Sequence, residues 1–187
     1  MEYNKKFIII GNQNAITYKE IFPLIQDNKI WLGASIHSGD RKFCVPDDYE
    51  LNASSCGIDE NGKKFIRVKG VRWFTNLDYN ERHEDLILYK HYTPEEYPHY
   101  INYDAIEVAK TEFIPMDYDG IMGVPITFMD KYNPEQFEII GFNLNCANMD
   151  IIKNRLGKLN GGPAFYTENQ GELKRIYTRI LIRHKKI

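Results

Sequence analysis

The chain has 187 residues, of which 43% are hydrophobic and 27% charged, the composition of an ordinary globular protein. This length suffices for one domain with a substantial core, and no apolar run approaches the roughly 18 residues of a membrane span. The first residues do not resemble a secretion signal. The three cysteines, Cys44, Cys56 and Cys146, lack zinc-site spacing, which predicts reduced thiols in the cytoplasm and no structural metal.

The net charge of −2 is unevenly distributed along the chain. Residues 78–120 hold 11 acidic and 3 basic side chains, whereas residues 143–187 hold 3 acidic and 9 basic ones. A third segment, 61–73, has no acidic residue and five basic ones: Lys63, Lys64, Arg67, Lys69 and Arg72. Basic segments of this kind suit the phosphates of DNA, although a charged run is more often only a solvated face.

The first predicted element is a buried strand over residues 7–10, within KKFIIIGNQNAITYKE. A tight turn and a helical stretch follow it, which is the half-unit of a nucleotide-binding α/β sheet. Pro23 interrupts the helical spacing, so two short turns or a kink are expected there. KIWLGASI then predicts a second short strand.

An edge strand, a hairpin and a further strand are predicted next. Pro46 confines GDRKFCVPDDYEL to a loop and an edge strand, because proline cannot donate to a central ladder. Asn61-Gly62 is a strong hairpin signal between two strand-forming runs, and GVRWFTNL predicts the following strand. Residues 1–77 are therefore expected to form a mixed sheet.

The remaining sequence is less regular. Residues 78–142 are predicted to form a tyrosine-rich extended arm over the surface and then a helix that begins at Asn133, with Pro134 in its first turn. Residues 143–172 are expected to be a variable loop. The tail LKRIYTRILIRHKK alternates apolar and basic positions, which predicts a C-terminal strand with one basic face that carries Arg179 and Arg183. The three portions are expected to form a single domain.

The residue types of this sequence and their spacing do not indicate a group of catalytic residues. NPEQF lacks the second proline of the Asn-Pro-Pro-Phe motif of amino-group DNA methyltransferases, so it is interpreted as a helix cap. The sequence has no GxGxxG, P-loop or FxGxG, and its histidines show no metal-ligand spacing.

Long segments nevertheless resemble the EcoRI-type adenine-specific DNA methyltransferases. The segments that carry the resemblance include KKFIIIGNQNAITYKEIFPLIQDNKIWLG, WFTNLD, RHEDL, DGIMGVPITFMDKYNPEQFEIIGF and YTRILIRHKK, in the order of the family. The resemblance covers this whole chain but only about the C-terminal half of the family. It implies an incomplete Rossmann-like methyltransferase sheet of α/β class, with the tyrosine-rich arm and the C-terminal strand attached.

The resemblance also implies the chemistry of the complete enzyme. Such enzymes transfer a methyl group from S-adenosylmethionine to adenine N6 in double-stranded DNA, and the base must be flipped out of the helix. The cofactor site and the Asn-Pro-Pro-Phe motif belong to the half that this sequence does not match. The chain alone is therefore expected to bind no S-adenosylmethionine and to be inactive.

The C-terminal half would supply the recognition surface and one wall of the base pocket. Besides the basic residues of 61–73 and the two tail arginines, the residues expected to approach DNA or the flipped base are Asn12, Asn14, Thr75, Asn76, Arg82 and His83. Two alternatives stay open. In the first, the chain is a stand-alone DNA-binding specificity module that acts with a separately encoded catalytic half, and in the second it is an inactive structural remnant.

Overall fold

The computed structural model describes residues 5–34, 40–52, 55–157 and 161–185. The chain divides into two compact units, unit 1 (Met1–Asp78) and unit 2 (Tyr79–Ile187). Both combine short strands with short helices, so the fold is mixed α/β with several small sheets. In the described part of the chain no helix is long and apolar enough to cross a membrane, and the longest has eight residues.

The described residues of unit 1 form two three-stranded antiparallel sheets. Its strands are β1 (Ile8–Asn12), β2 (Trp31–Leu32), β3 (Asp40–Cys44), β4 (Cys56–Ile58), β5 (Lys64–Lys69) and β6 (Val71–Thr75). The first sheet has the order β1-β6-β2 and the second β3-β5-β4. The prediction that β3 is an edge strand is confirmed, as is the hairpin at Asn61-Gly62, which joins β4 to β5.

The connection between β1 and β2 consists of two short turns, as Pro23 predicts. A 3-10 turn covers Gln13–Thr17, and helix α1 covers Phe22–Gln26 with Pro23 in its first turn, where no backbone donor is needed. The apolar side chains of this connection and of the first sheet form the core of unit 1: Ile16, Phe22, Ile25, Ile30, Leu32, Val71 and Phe74.

The first strand differs from its prediction, because it is not buried. Ile8, Ile9 and Ile10 are 58%, 56% and 50% exposed. The apolar run does form a strand, but β1 lies at the edge of its sheet and pairs with β6 on one side. An apolar sequence favours a buried strand. The position of the strand in its sheet decides whether other residues of the chain cover it.

Unit 2 is built around one four-stranded sheet and a hairpin. Its elements are β7 (Ile106–Glu107), β8 (Met122–Pro125), β9 (Phe137–Phe142), α2 (Asn143–Cys146), α3 (Met149–Leu156), β10 (Tyr166–Asn169), β11 (Glu172–Arg175) and β12 (Arg179–His184). Short 3-10 turns cover Asn80–His83, Thr111–Phe113 and Ile126–Lys131. The sheet order is β7-β8-β12-β9, in which only β7 and β8 pair in parallel, and β10 pairs with β11.

The helix predicted at Asn133 is a turn followed by strand β9. The Asn133 side chain accepts a hydrogen bond from the Glu135 N–H (2.8 Å), as a capping residue would, but only one helical turn forms. The next residues alternate between buried and exposed positions, and β9 pairs with β12. Sheet pairing of the β-forming run Phe137–Phe142 therefore overrides the local capping signal.

Two other regions of unit 2 are more ordered than their predictions. The tyrosine-rich arm does not merely cover the surface, because Tyr97 and Tyr100 are buried. The expected variable loop, residues 143–172, contains α2, α3 and β10 and ends where β11 begins, with Ile152 and Phe165 fully buried. The Phe165 ring stacks on Tyr100 with 4.6 Å between ring centroids, so the arm and the expected loop share a core.

Candidate nucleic-acid interface

One face of the β3-β5-β4 sheet combines basic side chains with an aromatic ring. Lys42 on β3 lies opposite Arg67 on β5, and both side chains are exposed. The Lys42 Nζ lies 4.6 Å from the centre of the Phe65 ring, and the Arg67 guanidinium carbon lies 5.7 Å from it. The ring therefore holds two cationic groups close together on the surface.

A glycine makes room for that ring. Gly57 on β4 lies opposite Phe65, and a Cβ at this position would come within 3.1 Å of the ring. Side chains alternate across a strand, so Lys69 projects from the same face as Phe65 and Arg67. Asp40 lies opposite Lys69 on the same face. We call Lys42, Phe65, Arg67 and Lys69 the basic-aromatic face.

The hairpin turn that precedes β5 positions the next predicted lysine. The Asp59 carboxylate accepts hydrogen bonds from the N–H groups of Asn61 (2.9 Å) and Lys63 (2.8 Å), and Gly62 adopts the left-handed φ of +77° that the turn requires. Lys63 is exposed at the tip. Lys64 projects from the other face, and its Nζ donates to the carbonyl oxygens of Asp47 and Tyr49 (3.0 Å to Tyr49), so its ammonium group anchors a loop.

The other predicted residues of unit 1 take part in internal bonding. Arg72 is only 2% exposed, in contrast to its predicted phosphate contact, and its Nη1 donates to the Val71 carbonyl (2.9 Å). Thr75 and Asn76 fasten the segment before β1: the Thr75 hydroxyl donates to the Phe7 carbonyl (2.6 Å), and the Asn76 carboxamide accepts from the Phe7 N–H (3.0 Å). These three side chains support the first sheet.

Asn12 and Asn14 lie at the exposed end of β1. The Asn12 carboxamide accepts from the Asn14 N–H (2.9 Å) and donates to the Lys69 carbonyl (3.0 Å). The preceding Gly11 packs on Phe74, since a Cβ there would come within 2.9 Å of the ring. This turn therefore closes on its own sheet and does not form the open glycine cradle that a nucleoside cofactor needs.

In unit 2 the predicted His83 belongs to a segment that the NPEQF residues hold in place. Both Glu135 carboxylate oxygens lie 3.0 Å from His83 Nδ1, and the His83 side chain is 40% exposed. The Asn133 carboxamide donates to the His83 carbonyl (3.2 Å) and to the Asp85 carboxylate (2.9 Å). The neighbouring Arg82 is buried, so His83 is the accessible member of the predicted pair.

Replacing Asn133 by alanine should lower the free energy of unfolding by about 1–3 kcal/mol. The side chain is 1% exposed, so its loss leaves buried polar groups without their partner. Urea denaturation measures the change. Asn145, an exposed asparagine of the same unit, provides the control, for which we expect a change within about 0.5 kcal/mol. Equal effects of the two variants would contradict the role given to the Asn133 carboxamide.

The two tail arginines are paired with acidic residues and do not form the expected free basic face. Arg179 makes a bidentate ion pair with Glu107 (Nη2–Oε1 2.5 Å, Nε–Oε2 3.1 Å), and both side chains are nearly buried. The Tyr100 hydroxyl also donates to Glu107, and burial together with that carboxylate raises the pKa of Tyr100. Arg183 pairs with Glu138 at 2.7 Å, at an exposed position. The pair between Arg179 and Glu107 thus neutralises one charge of the basic tail with one of the acidic segment 78–120.

An aromatic cluster orders part of the tyrosine-rich arm. The Tyr92 ring lies 4.6 Å from that of Tyr118 and 5.9 Å from that of Tyr97. Asp117 accepts the Tyr92 N–H (2.7 Å) and contacts His91 Nδ1 (2.8 Å), and these two bonds lower the pKa of its carboxyl group. Asp117 therefore fixes the backbone that carries Tyr92.

Sequence reasoning missed Lys42 and Phe65. The signal for Lys42 is the alternation in DRKFC, but its position beside Arg67 depends on the register between β3 and β5. Among the described residues, no group of histidine, cysteine or acidic side chains is arranged to hold a metal ion.

Comparison with known proteins agrees with the resemblance seen in the sequence. The model of the family described as adenine-specific methyltransferase EcoRI matches residues 1–185. The type II methyltransferase M.EcoRI of Escherichia coli is 47% identical over 189 residues. M.MgeORF184P of Mycoplasma genitalium is 36% identical over 198 residues, and M.MpnI of Mycoplasma pneumoniae 33% over 194. No solved structure matches this chain.

These matches cover nearly all of this chain but only part of each relative. They cover 98–100% of this chain but only 52–59% of each relative, so the chain spans about half the length of the curated relatives it matches. The family match extends over nearly all residues, and the chain therefore belongs to the EcoRI family of adenine-specific methyltransferases.

Proposed function

We propose that this chain is the C-terminal, DNA-recognising portion of an adenine-N6 DNA methyltransferase from a bacterial type II restriction–modification system, which acts on double-stranded DNA in the cytoplasm. Methyl transfer then requires the other half of the enzyme, with its S-adenosylmethionine site and Asn-Pro-Pro-Phe motif. The observation that carries the proposal is the basic-aromatic face, on which Lys42 and Arg67 flank the Phe65 ring.

The charge of this face favours DNA as its partner. Three cations, Lys42, Arg67 and Lys69, share this face with the Asp40 carboxylate. At the hairpin tip the exposed Lys63 lies next to the Asp59 carboxylate. Cationic side chains along adjacent strands can contact the phosphates of a duplex and replace their counterions. Such contacts orient a protein on the duplex, and side chains that reach base edges then select the sequence.

The proposal assigns the cofactor to the other half of the enzyme, and the geometry at the end of β1 supports this assignment. The Gly11 turn packs on Phe74, and the Asn12 carboxamide is engaged with its own backbone, so this strand end does not fit a nucleoside cofactor. The residues of this chain are instead assigned to holding the duplex while the target adenine is flipped out. A chain with this assignment has no methyl-transfer activity of its own.

The salt dependence of duplex binding tests the proposal. The slope of log K against log salt should flatten by nearly two units in the variant Lys42→Ala/Arg67→Ala, because each phosphate contact contributes about 0.9. Fluorescence anisotropy with a labelled duplex measures the slope. Lys19→Ala, which removes a 90% exposed ammonium group elsewhere in unit 1, is the control and should leave it unchanged. An equal slope for the double variant and the unmodified chain would sink the proposal.

A further inference from the structure

We propose that Ile87 enters the base stack of the bound duplex and fills the space that the flipped adenine leaves, and that Gln136 positions the segment that carries Ile87. The inference rests on the proposed function and deepens it, because it names a side chain of unit 2 that acts on the bases themselves. It also gives a role to NPEQF, which the sequence indicated only as a helix cap.

The Ile87 side chain projects into solvent. It is 87% exposed, the largest fraction among the large apolar side chains that the structure describes. Burial alternates along this segment, because Leu86 and Leu88 are half-buried whereas Ile87 and Tyr89 are exposed. Such alternation is typical of an extended chain with one face on the protein, so the opposite face carries Ile87 outward.

Gln136 fixes the backbone directly before Ile87. Its carboxamide accepts the Leu86 N–H (2.8 Å) and donates to the Leu86 carbonyl (2.9 Å), so one side chain makes both bonds that a paired strand would make. Gln136 is held in turn, because its own carbonyl accepts the Lys185 N–H (2.9 Å). The segment before Ile87 is therefore fastened to the C-terminal end of the chain's last strand.

The backbone is also fixed after Ile87. The Lys90 carbonyl accepts the Met116 N–H (2.9 Å), and Lys90 forms a parallel bridge with Pro115. The Pro115 carbonyl accepts a hydrogen bond from His184 Nε2 (2.8 Å). Single exposed apolar residues are common on proteins, but a segment that is already fixed at both ends loses little conformational entropy when its side chain inserts into a partner.

The chemistry of this segment favours bases over phosphates. An apolar side chain gains nothing from a phosphate, whereas isoleucine is among the residues that proteins insert between base steps. The nearby Asp85 carboxylate accepts a hydrogen bond from Asn133 (2.9 Å) and is thus engaged within the protein. A base that rotates out of the duplex leaves a gap, and one projecting side chain fits such a gap, whereas a protein partner would need a larger apolar patch.

Affinity for a duplex with a gap tests the insertion. The probe is a labelled duplex with one abasic site at its centre, compared with the same duplex intact, and fluorescence anisotropy gives both dissociation constants. The chain should bind the abasic duplex at least about tenfold more tightly, because the gap removes the cost of unstacking a base. Ile87→Ser should abolish this preference. Ile58→Ser is the control, since Ile58 is 62% exposed in unit 1, and it should keep the preference.

The variant Gln136→Leu tests the positioning role. It removes both hydrogen bonds to Leu86 and leaves Ile87 in place. The ratio of the two dissociation constants should fall towards that of Ile87→Ser. Both constants come from one preparation, so a smaller folded fraction changes them equally, and a merely structural effect of the substitution leaves their ratio unchanged.

Each outcome bears on the inference. Equal affinities of the unmodified chain for the two duplexes, an unchanged ratio for Ile87→Ser or an equal loss for Ile58→Ser would overturn the insertion. An unchanged ratio for Gln136→Leu would overturn its positioning role. The salt slope separates this inference from the proposed function: a slope that depends on Lys42 and Arg67 without a preference for the abasic duplex would remove only the role of Ile87. Absence of binding to either duplex would remove the DNA role altogether.

Discussion

Replacing Arg179 by methionine should lower the free energy of unfolding by about 3–5 kcal/mol, which is the largest effect that we expect from a single substitution. Arg179 and Glu107 form a bidentate pair whose side chains are 13% and 9% exposed. Removal of the guanidinium leaves the Glu107 carboxylate buried without its opposite charge, and an uncompensated buried charge is strongly destabilising. Urea denaturation of the variant and of the unmodified chain gives the difference.

The same strand offers a matched control. Arg183 lies on β12 like Arg179 and also pairs with a glutamate, but both partners are 47% exposed. Arg183→Met should therefore cost no more than about 1 kcal/mol, because water screens an exposed pair. The double variant E107Q/R179M keeps an acceptor for the Tyr100 hydroxyl without the charge and should recover part of the stability. A double variant as unstable as R179M would contradict the explanation.

Replacing His83 by asparagine should reduce the discrimination between the preferred DNA site and a site with one altered base pair. The expected loss is about 1–3 kcal/mol, the usual size of one base contact. Glu135 fixes the ring orientation of His83 while 40% of the side chain stays exposed, and Asn133 fixes its backbone. An accessible ring whose orientation and backbone are both fixed is a suitable group to contact a base edge or to stack on the unpaired partner base.

The measurement needs a complete enzyme. We suggest a chimera in which this chain replaces the matching portion of M.EcoRI, with the ratio of methylation rates on the two duplexes as the readout. His91→Asn is the control, because His91 also pairs with a carboxylate (Asp117, 2.8 Å) and is 70% exposed. If His83→Asn changes the ratio no more than His91→Asn does, His83 is an ordinary surface residue.

The arginines show which features of the candidate site follow from the sequence and which depend on the tertiary structure. The sequence indicates that Arg67, Arg72, Arg179 and Arg183 carry positive charge in basic segments. The structure exposes Arg67, buries Arg72, and pairs Arg179 with Glu107, which lies 72 residues earlier. Whether a charge is free for a ligand depends on its partners, and those partners come from distant parts of the chain.

The sequence by itself determined the features that depend on a few neighbouring residues and on family resemblance. Asn61-Gly62 indicated the hairpin because glycine tolerates positive φ, Pro46 indicated an edge strand because it lacks an N–H, and long shared segments identified the family.

Only the tertiary structure decided the features that depend on long-range pairing. Pairing with β12 made a strand where the Asn133 cap predicted a helix, and the register of β3 against β5 brought Lys42 to Arg67. The position of β1 at a sheet edge left an apolar strand exposed that the sequence indicated as buried. The physical reason is the same in each case: local preferences amount to fractions of a kcal/mol per residue, whereas burial and strand pairing add up over whole elements.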